Sequence, residues 1–289
     1  MLAIGIDLGG TKTNLGLIEI QKPGFKIKKR ITISSPQKKE ELVSALRKNI
    51  DKIWHKRVEK IGLALAGQID FKKRLSICSP NIKILEKVPL AKILEKKLSL
   101  PVNLDNDANS FVLAENTYGA GKGKKRVAGL TLGTGIGGGL VLEDKLYHGA
   151  FTSASEFGHM IVDDKGRLCG CGQSGCLEAY ASATAMIKEY ERRTGFKKDA
   201  YSIQEEAEAN LDPAKSILEE AAHYLAVGLV NIVNIIEPEI IVLGGGLSRV
   251  KSFIDLAILK TKKITRGGKT EISRTKLGTD AGMIGAALL

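Results

Sequence analysis

An α/β protein made of two related halves is the architecture that these 289 residues predict. Apolar, strand-like runs alternate with amphipathic helical stretches along the chain, which is the α/β pattern. One plan occurs twice: an apolar strand, a turn rich in glycine and threonine, and a second apolar strand. It is written first as "MLAIGIDLGGTKTNLGLIEI" and again as "RVAGLTLGTGIGGGLVLEDKLYHG". Such an echo points to duplicated units, each opening with a glycine-rich hairpin.

The elements follow in order. Residues 2 to 8 read as a buried strand, "GGTKT" as a turn, "NLGLIEI" as a second strand and "KIKKRITI" as a third. Residues 35 to 54 carry the helical period, with Leu42, Leu46, Ile50 and Ile53 on one side. "KIGLALAG" is a strand, "EKVPLAKILEKKLS" a short helix, "PVNLDND" a strand and turn, and "ANSFVLAENTYG" a helix ending near Gly119. After the second hairpin, "SGCLEAYASATAMIKEYERRTG" predicts one or two helices, and residues 195 to 212 a polar separating segment. A long helix follows from Pro213, apolar nearly all round in its latter half and therefore buried. "EIIVLGGG" is a strand running into a glycine turn, and "DAGMIGAALL" a terminal helix of small residues suited to close packing. The expected division is a first domain of residues 1–118, joined by the helix at 279–289, and a second domain of residues 119–278.

Composition narrows the function. Hydrophobic residues at 43% and charged residues at 26% are those of an ordinary globular protein. No run of about eighteen apolar residues exists, so no membrane span is expected. The start lacks a basic region and is broken by Gly5 and Asp7, which reads as a strand and not a signal peptide. The net charge of +12 raises the question of nucleic acid, but the lysines are spread thinly, and aromatics at 5% make a poor stacking surface. A solvated basic surface with no specific nucleic acid is expected. Four cysteines, three of them clustered, are not a secreted disulfide framework, and a reducing cytoplasm is the natural compartment.

Those three cysteines sit within "GHMIVDDKGRLCGCGQSGCLE". Cys169 and Cys171 are too close to pair comfortably, and Cys176 can pair with only one of them. A structural zinc accounts for all three, since it takes thiolates and neutral imidazole in a tetrahedron. His159 would complete the set, brought back by a hairpin turn at "DDKG", while Gly170 and Gly172 let the backbone curl around the ion. The alternative is a thiol cluster without metal.

Three glycine turns after strands, "DLGGTKTN", "TLGTGIGGG" and "LGGG", suit a nucleoside phosphate, because they clear side chains and turn backbone N–H groups toward an anion. No Walker pattern is present. "GTGIGG" fits G-x-G-x-x-G, but an apolar strand is expected to follow where the dinucleotide fingerprint needs a helix, which leaves a nicotinamide oxidoreductase as the lesser alternative. Phosphoryl transfer to a hydroxyl needs metal-bound phosphates and a positioned base. Asp7, at the end of the first strand, is placed to organise hydrated Mg²⁺, and Thr11 and Lys12 to meet phosphate. Asp105 and Asp107 both stand in "LDNDAN", and either can serve as base. Glu156 and Glu178 flank the cysteines and could be held rigidly against a polyhydroxyl ligand.

These segments together resemble the ROK family of sugar kinases and related repressors, over essentially the whole chain. "IGIDLGGTKTNLGLI" resembles the first phosphate segment, "SPN" with "LDNDANSFVLAE" the sugar and catalytic region, "LTLGTGIGGGLV" the second phosphate segment, "SEFGHMIVD" with "CGCGQSGCLEAY" the sugar contacts around a structural zinc, and "IIVLGGGLS" the adenosine side. The resemblance implies a two-domain actin-like ATPase (ribonuclease H-like) fold with an interdomain cleft that closes on sugar. It selects Asp107 over Asp105 as general base. It places Asn81, Asn106, Asp107, Glu156, His159 and Glu178 around a hexose. Gly9, Gly10, Thr11, Lys12, Thr134 and Gly135 would lie along the phosphates of ATP, and Gly244 and Gly245 near the nucleoside. His159 would hold zinc through one ring nitrogen and a sugar hydroxyl through the other. Glucose is the first expected substrate, with N-acetylglucosamine, N-acetylmannosamine, mannose and fructose as alternatives and polyphosphate as an alternative donor. A non-catalytic sugar sensor is the competing class. No helix-turn-helix segment precedes "MLAIGID", which favours the kinase branch, and a homodimer is expected.

Overall fold

In chain order the elements are β1 (Leu2–Leu8), β2 (Lys12–Ile20), β3 (Phe25–Ser34), α1 (Lys39–Ile53), β4 (Val58–Leu65), β5 (Gln68–Asp70), β6 (Leu75–Cys78), α2 (Leu90–Leu98), β7 (Val102–Asn106) and α3 (Asp107–Tyr118). Then come β8 (Arg126–Leu132), β9 (Ile136–Leu142), β10 (Lys145–Leu146), α4 (Glu178–Ala181), α5 (Ala183–Thr194), α6 (Ala200–Glu208) and α7 (Ala214–Ile236), followed by β11 (Ile240–Gly244), α8 (Lys251–Ile264), β12 (Glu271–Arg274) and α9 (Ala281–Leu288). The structure, a computed structural model, describes residues 1–79, 82–265 and 268–289.

Two five-stranded sheets share one plan. The first has the order β3-β2-β1-β4-β7 and the second β10-β9-β8-β11-β12. In the first, β1 pairs antiparallel with β2 and parallel with β4, which pairs parallel with β7. In the second, β11 runs parallel to both β8 and β12. The repeated strand–turn–strand therefore appears as the opening hairpin of each sheet. Strands with parallel neighbours and both faces covered become continuous apolar runs, as "LAIGIDL" of β1 shows.

The chain forms two compact units. The first comprises 1–123, 140–154 and 276–289, and the second 124–139 and 155–275. This differs from the division expected at 118/119 and 278/279. Two buried carboxylates explain the difference. Glu115 of α3, fully buried, accepts hydrogen bonds from the backbone N–H groups of Ala120, Lys276 and Leu277. Asp105 binds His148, which ties the segment after β10 to the first unit.

Within the first unit, Leu42, Leu46, Ile50 and Ile53 of α1 are buried, as their spacing required. Helix α9 lies against β1, β4 and α3 so closely that only glycine fits at the crossings. A Cβ on Gly62 would stand 1.7 Å from the Ala286 carbonyl oxygen, and one on Gly285 1.7 Å from that of Ser110. The second unit is built around α7, whose Leu225, Ala226, Leu229 and Ile232 are buried. By length and apolar composition α7 is also the one candidate membrane span among the described residues, but 61% of that window is buried in the fold. A long, largely buried helix is a core helix.

The polar segment at 195–212, expected to be a mere separator, contains α6. Asp199 caps it through the N–H groups of Tyr201 and Ser202, and Ile203 is its buried anchor. The hairpin β5–β6, helix α8 and strand β12 also lay outside the sequence-based expectations.

Candidate functional site

Strand register assembles the first group of residues. Across β1, β4 and β7, Asp7 is level with Ala64, and Ala64 with Asp105. The carboxyl ends of three parallel strands thus present Asp7 together with Asp105, Asn106 and Asp107, the location where open α/β sheets bind ligands. Burial, and after it the charge of Asp107, pushes the Asp7 carboxyl up to about 6, against a hydrogen bond from Asn14 at 3.5 Å. Burial also raises Asp107. For Asp7 this reflects a second carboxylate nearby in a poorly solvated corner.

Hydrogen bonding separates the two aspartates that local chemistry left equivalent. Asp105 is 5% exposed and engaged through both oxygens. Its Oδ2 lies 2.6 Å from His148 Nε2, and its Oδ1 accepts the Asn106 N–H at 2.7 Å and Asn109 Nδ2 at 2.9 Å. It anchors the corner. Asp107, the first residue of α3, receives the Ala108 N–H on Oδ1 at 2.9 Å. Asn106 is the helix cap: its Oδ1 accepts the N–H groups of Ala108 and Asn109, and its Nδ2 donates to the Gly67 carbonyl. Its amide therefore spends its capacity on the fold and on the neighbouring Asp107 carboxyl, which it also hydrogen-bonds.

The first glycine turn is braced from outside. Gly9 N–H donates to the Lys12 carbonyl, Ser35 Oγ donates to the Gly9 carbonyl, and Gln37 Nε2 donates to the Gly10 carbonyl. Thr11 and Lys12 are exposed beyond this braced turn. Ser35 and Gln37 were missed in the sequence, because nothing local links them to a turn some 26 residues earlier. Asn81 lies outside the described residues.

The second unit gathers the remaining residues. Glu178 Oε2 accepts the Ile136 N–H at 2.7 Å, and a Cβ on Gly135 would stand 2.3 Å from that oxygen. A side chain at Gly135 would push Glu178 away from the Ile136 N–H that holds it. Gly245 follows Gly244 at φ +82, and a Cβ there would approach the Leu132 carbonyl oxygen at 2.3 Å, so these two glycines border the turn that exposes Thr134. Gly138 of "GIGGG" and Gly158 have a further role unrelated to phosphate. A Cβ on Gly138 would meet the Ser155 carbonyl at 2.0 Å, and one on Gly158 that of Ile136 at 2.0 Å. Glycine at both positions lets the segment carrying Glu156 and His159 lie directly on β9.

His159, Cys169, Cys171 and Cys176 converge, with all four donor atoms within 4.8 Å of one another. The turn expected at "DDKG" forms, Gly166 N–H donating to the Asp163 carbonyl. Cys171 and Cys176 Sγ are 3.6 Å apart, and Cys169 Sγ is 3.8 Å from His159 Nδ1. A tetrahedron with bonds of about 2.3 Å has edges of about 3.8 Å, so the spacing suits zinc. Burial, reinforced by the neighbouring thiols, pushes Cys176 up to about 12. Three crowded thiols need a cation before all can ionise. Cys78 stands apart on β6, in the first unit.

Comparison with known proteins bears on both groups. The model of the ROK family matches residues 3–289. A glucokinase of Thermotoga maritima is 35% identical, over 98% of this chain and 95% of its own. The crystal structure of a ROK hexokinase from Thermus thermophilus matches with a TM-score of 0.91 at 31% identity, covering 100% of this chain and 97% of that one. A ROK family glucokinase from Streptomyces griseus, in complex with glucose and AMPPNP, matches with a TM-score of 0.85 at 31% identity, over 99% of this chain and 98% of that one. With a family match across nearly the whole length and relatives this similar end to end, the chain belongs to the ROK family and has its two-domain actin-like ATPase fold.

Proposed function

We propose that this protein transfers the γ-phosphoryl group of ATP to the terminal hydroxymethyl oxygen of a hexose, with glucose as its first substrate. The observation that carries the reading is the corner where β1 and β7 end, which holds Asp7 and the half-buried Asp107 as separate carboxylates while Asp105 is tied into the scaffold. Asp107 accepts the hydroxymethyl proton as that oxygen attacks the γ-phosphorus, the bond to the bridging oxygen breaks, and ADP leaves. Its burial-raised affinity for the proton brings it nearer the operating pH, which suits a base. Asp7 organises hydrated Mg²⁺, which neutralises charge on the phosphates when bound. The braced turn at Gly9 and Gly10, with Thr11 and Lys12, lies along those phosphates, as do Thr134 and Gly135, and Gly244 and Gly245 lie beside the nucleoside.

Sugar hydroxyls are held by Glu156, Glu178, His159 and Asn106, with Asn81. His159 faces the cysteines through Nδ1, which leaves Nε2 for a hydroxyl. One structural zinc, held by His159, Cys169, Cys171 and Cys176, would fix this loop without taking part in the chemistry. The reading extends to a cytoplasmic homodimer, checked by light scattering at several concentrations in moderate salt; a strictly monomeric mass refutes the dimer.

The test is ADP release from MgATP across glucose, mannose, fructose, N-acetylglucosamine and N-acetylmannosamine. Glucose-dependent release is expected. Sugar binding without release from any of them would replace the enzyme with a sugar sensor.

A further inference from the structure

We propose that His148 is a positioning residue for phosphoryl transfer, holding through Asp105 the corner that aims Asp107. The proposal rests on the reading of Asp107 as the base. His148 follows β10 and lies 43 residues beyond Asp105 in sequence. Its Nε2 stands 2.6 Å from Asp105 Oδ2, and with a carboxylate opposite, Nε2–H is the donor. The ring stacks on Phe71, with centroids 3.8 Å apart and planes 20° apart, so the imidazole cannot swing freely.

The consequence runs through consecutive hydrogen bonds. Asp105 Oδ1 holds the Asn106 N–H and the Asn109 side chain, and Asn106 Oδ1 caps α3 through Ala108 and Asn109. Asp107, half-buried, follows Asn106 directly as the first residue of α3. Among the described residues, the corner itself supplies two hydrogen-bond partners of Asp105, Asn106 and Asn109, and His148 comes from a distant segment. Without it, one oxygen of a nearly buried carboxylate loses its partner, and Asp105 must turn to recover hydrogen bonds. The backbone N–H of Asn106 turns with it, and Asp107 is the next residue. A misplacement of about 1 Å at a reacting group costs on the order of 10²-fold in rate.

The alternative is that His148 only satisfies a buried charge. The two differ in which kinetic constant moves. Loss of aim lowers kcat far more than it raises the sugar KM, because Glu156, Glu178 and His159, which lie outside this corner, supply most of the sugar contacts in this reading. The experiment measures kcat, sugar KM and Tm for His148→Ala, His148→Gln, Asp105→Ala and the His148→Ala/Asp105→Ala pair, with Asp107→Asn alongside. His148→Ala is expected to lose roughly 10- to 100-fold in kcat with KM within about twofold. His148→Gln, which can still extend an N–H to Asp105, should recover most of the loss. The double variant should be little worse than Asp105→Ala alone, because the two residues act in series.

If His148→Ala does not fold, His148→Asn serves, its amide being too short to reach Asp105, and the same kcat loss is expected. An unchanged kcat, a loss confined to KM, or fully additive losses would overturn the proposal. Asp107→Asn with normal turnover would remove the base and this proposal with it. An inert Asp107→Asn beside a fully active His148→Ala would remove only His148.

Discussion

Replacing Asp7 with asparagine should stabilise the unliganded protein at neutral pH while abolishing its use of MgATP. Burial first, and the Asp107 charge second, raise the Asp7 carboxyl from 3.8 to about 6. A carboxyl raised in the folded state binds its proton more tightly there than in the unfolded chain, so stability falls as pH rises between the two values. Below about 3.8 both states are protonated and Asp7 costs nothing; above about 6 the whole cost applies. Two units correspond to roughly 3 kcal/mol, and partial exposure reduces this to about 2 kcal/mol. Asparagine keeps the shape and an oxygen for Asn14 but carries no charge. Urea unfolding of both proteins should show the variant more stable by about 2 kcal/mol near pH 7.5, with the difference vanishing near pH 4. A variant less stable at neutral pH, or a difference that does not shrink on acidification, would refute the reasoning.

Other perturbations probe separate parts of the fold. Metal analysis should find about one zinc per chain, and Cys171→Ser should lose it together with sugar affinity; the helices should persist, since Arg167 and Tyr180 still tie the loop to Glu220 and Asp163. A metal-free protein with full sugar affinity would contradict the zinc role. Gly285→Ala would drive a Cβ into the Ser110 carbonyl and should cost about 1–3 kcal/mol, seen as a Tm loss of several degrees; an unchanged Tm would mean that α9 does not pack as described. Arg192, with Arg193 and Arg167, holds the Glu189 carboxyl down at about 2. Its contribution is present above the ordinary value of 4.5 and is lost as pH falls toward 2, so Glu189→Gln should be destabilising at neutral pH and equal to wild type near pH 2; a pH-independent difference would sink this.

What the sequence disclosed follows from the range of each interaction. Leu42, Leu46, Ile50 and Ile53 report α1 because burial of one face writes a period into neighbouring residues. The cysteine knuckle was readable because three of the four clustered donor residues lie within eight residues. Helix α6 was not, since only Ile203 of it is buried and the rest of its support comes from groups outside it, Tyr190 and Lys198 meeting Glu206. His148 left no local mark at all, its partners being Asp105 and Phe71. Gly138 and Gly158 were visible as glycines, but the reason for them is a close approach between backbones that sequence alone does not reveal. Asn106 presents both a cap and a ligand signal, and hydrogen bonds assign most of its amide to the cap.

The account turns on Asp107 as the acceptor of the sugar's proton, and single-turnover phosphoryl transfer in Asp107→Asn tests this most directly. With saturating glucose and MgATP, the rate of glucose 6-phosphate formation should fall by about 10² to 10⁴ while the glucose Kd and the thermal transition stay near those of the wild type. A rate within a few-fold of wild type would contradict it.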